Sequence, residues 1–285
     1  MPKNKIKIAC AQINSTQIIS ENLTKIEKYS KKAKENGCNL ITFPEYSTYI
    51  PGINAQINFS NSDFIKSTEE IKNIAKSNGI DIIFGTLREK IDNKKNIAKH
   101  LNQALYINRN GDLAFEYSKI HLFDANVGGI EYRESLQFFA GNESKVFNIN
   151  RNIYGICICY DLRFPQLFRI LAKNGAKVIF VPSAFTKKSG AIHWEQLLRA
   201  RAIENSVYII APAQVGKHLN NRETYGHSMI VSPDGIILKS AKRSEKLISH
   251  DLDLNIIDEK RNSIGSMHND QKFSTPSGKV YNDLQ

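Results

Sequence analysis

Ile6, Ile8 and Cys10 alternate with Lys7, Ala9 and Ala11, a period of two that predicts a half-buried strand. Downstream the period lengthens. Leu23, Ile26, Ser30 and Ala33 fall on one face of a helix that Ser20 can cap and Gly37 can end. A short apolar strand, Leu40 to Phe43, stops at Pro44. A second helix is predicted from Ser62 to Asn78 with Gly79 just beyond it, and then a buried strand from Ile82 to Phe84. Ala104–Ile107 and Leu113–Tyr117 flank the turn Asn108–Gly111, the pattern of a β-hairpin.

The second half repeats this order without repeating the residues. Ile153–Ile158 reads as a strand, Phe164–Asn174 as a helix ending at Gly175, and Val178–Val181 as a strand. A helix over Ile192–Asn205 and a strand over Val207–Ala211 follow. Met229–Val231 and Ile236–Lys239 then flank a turn at Pro233-Asp234-Gly235. Alternating strands and helices predict an α/β protein. Two sheets face to face, with helices outside each, would hold both halves in one domain. No Pro/Gly/Ser-rich linker divides the chain, so residues 1–260 are expected to form a single unit. The polar, Gly/Ser-rich stretch over residues 261–285 is expected to be an arm or tail.

Composition adds constraints. With 41% hydrophobic residues the chain can bury a sizeable core. No segment approaches the roughly 18 consecutive apolar residues of a membrane span, and no apolar signal core precedes the first strand. Four cysteines in 285 residues make no disulfide framework and fit a reducing, cytoplasmic setting. A net charge of +11 raises nucleic-acid binding, but Lys, Asn and Ile are abundant throughout. Clusters such as Lys31-Lys32-Ala33-Lys34 sit on a helix's polar face, so a solvated surface is the stronger reading and no nucleic-acid or membrane partner is expected.

Three segments could carry chemistry, each at a strand's carboxyl end. In Gly155-Ile-Cys-Ile-Cys159-Tyr-Asp161-Leu-Arg163 a buried strand delivers Cys159 to a polar turn that opens a helix. A thiol there can gain thiolate character from the helix dipole and nearby cations. Cys157, inside the strand, reads instead as a small buried hydrophobe. One Cys-x-Cys pair without a second pair makes a weak zinc signal, and none of the seven histidines is marked as a base. Glu45, after Phe43-Pro44, is either a solvated loop charge or, if buried, a general base. Lys119, in Tyr117-Ser-Lys-Ile-His121, is either exposed or a stabiliser of developing oxyanion charge.

Together these segments resemble the nitrilase superfamily of carbon–nitrogen hydrolases. The likeness rests on Phe43-Pro44-Glu45, on Tyr117 to Asp124, and on Cys159-Tyr160-Asp161-Leu162-Arg163-Phe164-Pro165. It continues through His193-Trp194-Glu195, Arg199 to Asn205 and Tyr225-Gly226-His227-Ser228-Met229, covering about residues 5 to 255. The resemblance implies a four-layer α-β-β-α sandwich, pairing into homodimers through outer helices. It implies an amidohydrolase working through a thioester, without metal or organic cofactor. Glu45 would be its base, Lys119 its oxyanion stabiliser, Cys159 its nucleophile and Glu134 an accessory glutamate. Ser183 to Thr186 and Gly216 to His218, with Arg222 and Tyr225, look most like the branch acting on deaminated glutathione. Tyr160, Phe185, Arg222 and Tyr225 are the candidates to touch a small amide substrate. Lys217 and Arg222 could pair with its carboxylates or stand as solvated charges. Gln166 and Ser118 depart from the family pattern, as does His268-Asn269-Asp270-Gln271 where an arginine-rich ending is usual. An ω-amidase, a nitrilase, an N-carbamoyl amidohydrolase or an inactive binding module are the alternatives.

Overall fold

The computed structural model describes residues 4–92, 97–267, 269–271, 273–274 and 280–281. The first half runs β1 (Lys5–Gln12), α1 (Ile19–Glu35), β2 (Leu40–Thr42), α2 (Asn61–Asn78), β3 (Asp81–Asp92), β4 (Ile97–Ile107) and β5 (Leu113–Ser118). A small hairpin, β6 (Asp124–Val127) and β7 (Ile130–Arg133), leads through a 3-10 turn at Glu134–Leu136 to β8 (Val146–Ile149) and β9 (Asn152–Ile156). A second 3-10 turn, Cys159–Arg163, opens onto α3 (Pro165–Lys173), β10 (Val178–Phe180), α4 (Lys187–Asn205) and β11 (Tyr208–Ala211). The hairpin β12 (Val215–Lys217) and β13 (Glu223–Tyr225) follows, then β14 (Met229–Val231), β15 (Ile237–Ser240), β16 (Lys246–Asp253) and α5 (Ile256–Ile264).

Two six-stranded sheets result, with strand orders 16-1-2-3-4-5 and 15-14-11-10-9-8. β1, β2 and β3 are parallel in the first sheet, as β9, β10 and β11 are in the second; the flanking strands are antiparallel. Alternation along β1 and β3 decides the layers. Ala9, Ala11, Ile82 and Phe84 face outward and pack with Ile26 and Ala33 of α1 and Ile71 and Ile74 of α2. Ile8, Cys10 and Ile83 point the other way, into a core shared with the second sheet. Tyr106 of the first sheet meets Phe147 of the second at 5.4 Å between ring centres. Trp194 and Leu198 of α4 and Leu171 of α3 close that core from the far side. The layers are therefore α-β-β-α, as expected.

Three local expectations need correction. Ser20 lies inside α1 rather than capping it. The cap position is Ile18, whose N–H donates to the Thr16 hydroxyl at 3.1 Å. α4 starts at Lys187, five residues before the apolar pattern suggests, because Thr186 caps it and Gly190 lets Tyr225 lie against the helix. β9 ends at Ile156, two residues short of the expected Ile158. α2 carries a capping box between Ser60 and Asp63 that the pattern did not reveal. His268, Lys272 and residues 275–279 and 282–285 of the expected arm lie outside the described residues, and α5 straddles residue 260.

Candidate active site

Cys159 is the first residue of its 3-10 turn and adopts a left-handed backbone, φ 49°. A non-glycine residue there stores about 1–3 kcal/mol of strain unless its surroundings hold it. They do. The Cys159 N–H donates to the Pro182 carbonyl at 3.0 Å, extending the β9–β10 pairing past the strand end. Fully buried Asp161 accepts the Ile158 N–H at 2.9 Å and the Tyr117 hydroxyl at 2.7 Å on one oxygen. Its other oxygen accepts the His121 N–H at 2.9 Å and His121 Nδ1 at 2.7 Å. Tyr117 and His121 flank Lys119, so Asp161 ties the cysteine's turn in the second sheet to the strand exit that presents the lysine.

Lys119 and Glu45 are 2% and 1% exposed, so neither is the solvated charge that remained open from sequence. Lys119 Nζ donates to both oxygens of Glu134, at 2.9 and 2.8 Å, and to Glu45 Oε1 at 3.1 Å. Burial works against the Lys119 ammonium, but Glu134 and then Glu45 outweigh it and hold its pKa well above the usual value. Burial would raise the Glu134 carboxyl, yet the charge and hydrogen bonds of Lys119 bring it below the usual range. For Cys159, burial first and the Glu45 charge second push the thiol well up, against Lys119 and a hydrogen bond from the Ala184 backbone. The resting sulfur is therefore a thiol that needs a base, and Glu45, in the same cavity wall, is the carboxylate that acts on it most strongly.

Two glycines make these approaches possible. A Cβ on Gly85 of β3 would sit 2.5 Å from the Pro44 carbonyl oxygen and 2.6 Å from Glu45 Cα. A Cβ on Gly141 would sit 2.2 Å from the Ser118 carbonyl oxygen, one residue before Lys119.

The four side chains open onto a cavity of about 740 Å³, counted to its open mouth. Tyr160, Phe185 and Arg222 line it, together with Arg133 and Arg163. Arg222 lies with its guanidinium 4.9 Å from the Tyr46 ring centre and donates to the Pro51 carbonyl at 2.8 Å. Tyr225 does not line the cavity: its ring stacks on His227 at 4.2 Å and its Cβ covers Gly190. Lys217 is exposed and also lies outside the lining. Sequence reasoning missed Asn102 and Tyr46 and gave Asp161 no role. A buried asparagine and glutamine side by side in an apolar strand, Asn102-Gln103, were the available signal.

A family model described as carbon-nitrogen hydrolase matches residues 7–262. The chain belongs to this family. Among the curated relatives of this hydrolase, deaminated glutathione amidase of Dictyostelium discoideum is 38% identical over 270 residues, 92% of each chain. Omega-amidase NIT2 of Xenopus tropicalis is 32% identical, covering 91% of this hydrolase and 93% of the relative. Among solved structures, the Caenorhabditis elegans NitFhit protein superposes with a TM-score of 0.82 at 29% identity, covering 97% of this chain and 70% of that one. Saccharomyces cerevisiae Nit3, of the nitrilase superfamily, gives 0.75 at 28% identity, covering 92% and 94%. The hydrolase thus acts on C–N bonds other than peptide bonds, as an amidohydrolase. No helix among its described residues is long and apolar enough to cross a membrane.

Proposed function

We propose that this hydrolase cleaves the amide bond of deaminated glutathione, releasing a 2-oxo acid and cysteinylglycine. The observation that carries this reading is the cavity itself. A buried thiol, a carboxylate, and a lysine clamped by a second carboxylate converge in a cavity whose lining also includes Arg163, Arg222 and Arg133, the last paired with Glu131. Such a lining favours an anionic amide, and the 38% identity to a deaminated glutathione amidase points the same way.

In this reading Glu45 takes the thiol proton as Cys159 Sγ adds to the amide carbonyl carbon. Lys119 and the Tyr160 N–H receive the oxyanion, and each such donor is typically worth about 2.7–4 kcal/mol. Glu134 keeps Lys119 in place and charged. Collapse breaks the C–N bond as Glu45 protonates the leaving amine. Water, deprotonated by the same carboxylate, then hydrolyses the thioester. The thiol is uncharged at rest, so its proton passes to Glu45 before or as Sγ attacks. Tyr160, Phe185 and Arg222 would contact the substrate. Tyr225, behind the cavity wall, would act only through packing.

The test quantifies cysteinylglycine from deaminated glutathione, and ammonia from a panel of ω-amides, for the native chain and Cys159→Ala. Cysteinylglycine release that falls by on the order of 10⁴-fold or more in a folded Cys159→Ala supports the reading. Turnover only of ω-amides keeps the site and discards the substrate, while near-native activity of the variant discards both.

The same reading takes residues 1–260 as the catalytic unit, 261–285 as an arm, and the cytoplasm as the setting, which four free cysteines suit. It also takes the chain as a homodimer. Ile192 and Ile203 of α4 are 66% and 46% exposed, and their spacing puts them on one helix face. Ile236, 59% exposed, follows Gly235, which packs against Ile203. Ile192→Glu should halve the sedimenting mass, and an unchanged mass would remove this face from the dimer.

A further inference from the structure

Asn102, on β4, is 1% exposed and joins the groups of the site by both its backbone and its side chain. Its carbonyl accepts the Lys119 N–H at 2.9 Å. Its side-chain Nδ2 lies 2.7 Å from Glu45 Oε1, 3.0 Å from the Tyr46 hydroxyl and 3.2 Å from Glu134 Oε1. Only this orientation of the amide is tenable, because the reverse would set its oxygen against two carboxylates. Its own Oδ1 is buried without a partner among the described residues. Leaving such an oxygen unpaired costs about 1–3 kcal/mol, so the orientation is held against a real penalty.

Nδ2 has two hydrogens and three neighbours. Tyr46 donates its own proton to Glu134 Oε1 at 2.9 Å, so its hydroxyl oxygen can accept. Glu134 already receives Lys119 on both oxygens and the Phe123 N–H on one. Glu45 has no such surplus, and its Oε1 receives Asn102 and, at greater length, Lys119. We infer that Asn102 is a positioning residue: it pins Oε1 of Glu45, so that Oε2 is the oxygen presented to the Cys159 thiol. The inference rests on the reading of the site given above. The charged and titratable groups around Glu45 are Lys119, Glu134, Tyr46 and Cys159, with Arg222 behind the Tyr46 ring. Asn102 is the neutral donor to Glu45, and it adds no charge to a cluster that already holds two carboxylates against one ammonium.

The experiment removes the donor and keeps the shape. Native chain, Asn102→Leu and Asn102→Ser are treated with iodoacetamide across a pH series, and alkylation of Cys159 is read by peptide mass spectrometry. Alkylation forms the Sγ–C bond, expels iodide and passes the thiol proton to Glu45, so it reports the same proton transfer without needing a substrate. A carboxylate that loses its donor is protonated more readily, and the acid limb of labelling moves to higher pH. The expected shift in Asn102→Leu is about one pH unit, roughly tenfold less labelling on that limb. With an amide substrate, kcat should fall on the order of 10- to 100-fold while KM stays within about twofold. Asn102→Ser, which returns an O–H donor, should recover part of both.

A Leu variant whose limb coincides with the native one overturns the inference, even if it is slower or less stable, since a purely structural role predicts that result. Should that variant fail to fold, Asn102→Ala, which also lacks a donor, takes its place, and an unmoved limb there has the same meaning. A native chain whose Cys159 is unlabelled at every pH overturns the site reading, and this inference with it. Labelling with a shared limb overturns the role of Asn102 alone.

Discussion

The two halves of the chain share an order of elements and divide the chemistry unequally. β1-α1-β2-α2-β3 and β9-α3-β10-α4-β11 each give three parallel strands covered by two helices. After β2 the chain delivers Glu45; at the matching place after β10 it delivers Pro182 and Ser183, which bond only to backbone groups. After β9 it delivers Cys159; at the matching place, the last residue of β1 and the loop just beyond it, come Gln12 and Ser15, which bind loops of the second half. A common framework therefore sets where side chains can converge, and the residues at the strand ends decide what converges. The first sheet supplies the base and the ammonium, while the second supplies an uncharged thiol. Neither sheet alone holds a reacting pair.

The comparison can be broken most severely on the charged side. Lys119→Met leaves two buried carboxylates without their cation and should cost about 3–5 kcal/mol, read as a lower urea midpoint. Removal of the oxyanion donor should also cut turnover by about 10²–10³-fold. Among the described residues no equally buried ion pair lies on the second sheet's side of the site, so Cys159→Ala should lose turnover with little change in that midpoint.

The seam between the halves offers a second break. His218 precedes the turn of the β12–β13 hairpin, its Nδ1 at 3.0 Å from the Ser15 carbonyl and its Nε2 at 2.8 Å from the Thr224 hydroxyl. Burial chiefly, with Arg222 and Lys25 nearby, outweighs the Ser15 carbonyl and lowers its pKa from 6.5 to about 4. The folded ring is neutral where the unfolded one would bind a proton. Stability is complete above pH 6.5 and is lost as pH falls through 6.5 toward 4, by about 3 kcal/mol in all. Urea midpoints across that range should show the slope, and His218→Asn should flatten it.

A finer contrast sets Gly85 of β3 against Gly155 of β9. A Cβ on Gly85 meets backbone at 2.5 Å, whereas one on Gly155 meets the flexible Leu171 and Ile179 side chains at 3.1 to 3.3 Å. Gly85→Ala should cost about 2–3 kcal/mol and slow turnover by displacing Glu45, while Gly155→Ala should cost about 1 kcal/mol and leave the rate alone. Equal losses from the two would remove the distinction between the sheets.

Local patterning made the parallel cores legible, because Ile6-Ile8-Cys10 and Ile82–Phe84 state their burial in their own residues. The long outer reaches of β3 and β4 were not legible, since Arg88–Lys90 and Ile97–Lys99 are exposed or half-buried and show no apolar alternation. β16 went unpredicted for a related reason: its half-buried, mixed residues make sense only beside β1. Glu45, Lys119, Glu134 and Cys159 were legible through motif likeness, and the structure brings all four together. Asn102 announced itself only as one of two polar residues in an apolar strand, since nothing near it in sequence points to two carboxylates 30 or more residues away. Tyr225 was placed at the substrate on motif likeness alone, and its lodging against Gly190 is a tertiary contact that no local pattern reports.

All eight residues of β1 pair with β16, from Lys5 opposite Asp253 to Gln12 opposite Lys246. A ribosome has therefore made Glu45, Lys119 and Cys159 long before the partner of β1 emerges. Until then the first sheet ends in a bare edge, an invitation to other nascent chains. Premature termination anywhere before residue 246 should thus produce an insoluble polypeptide rather than a weak enzyme, and quality control must guard this chain until β16 has been made.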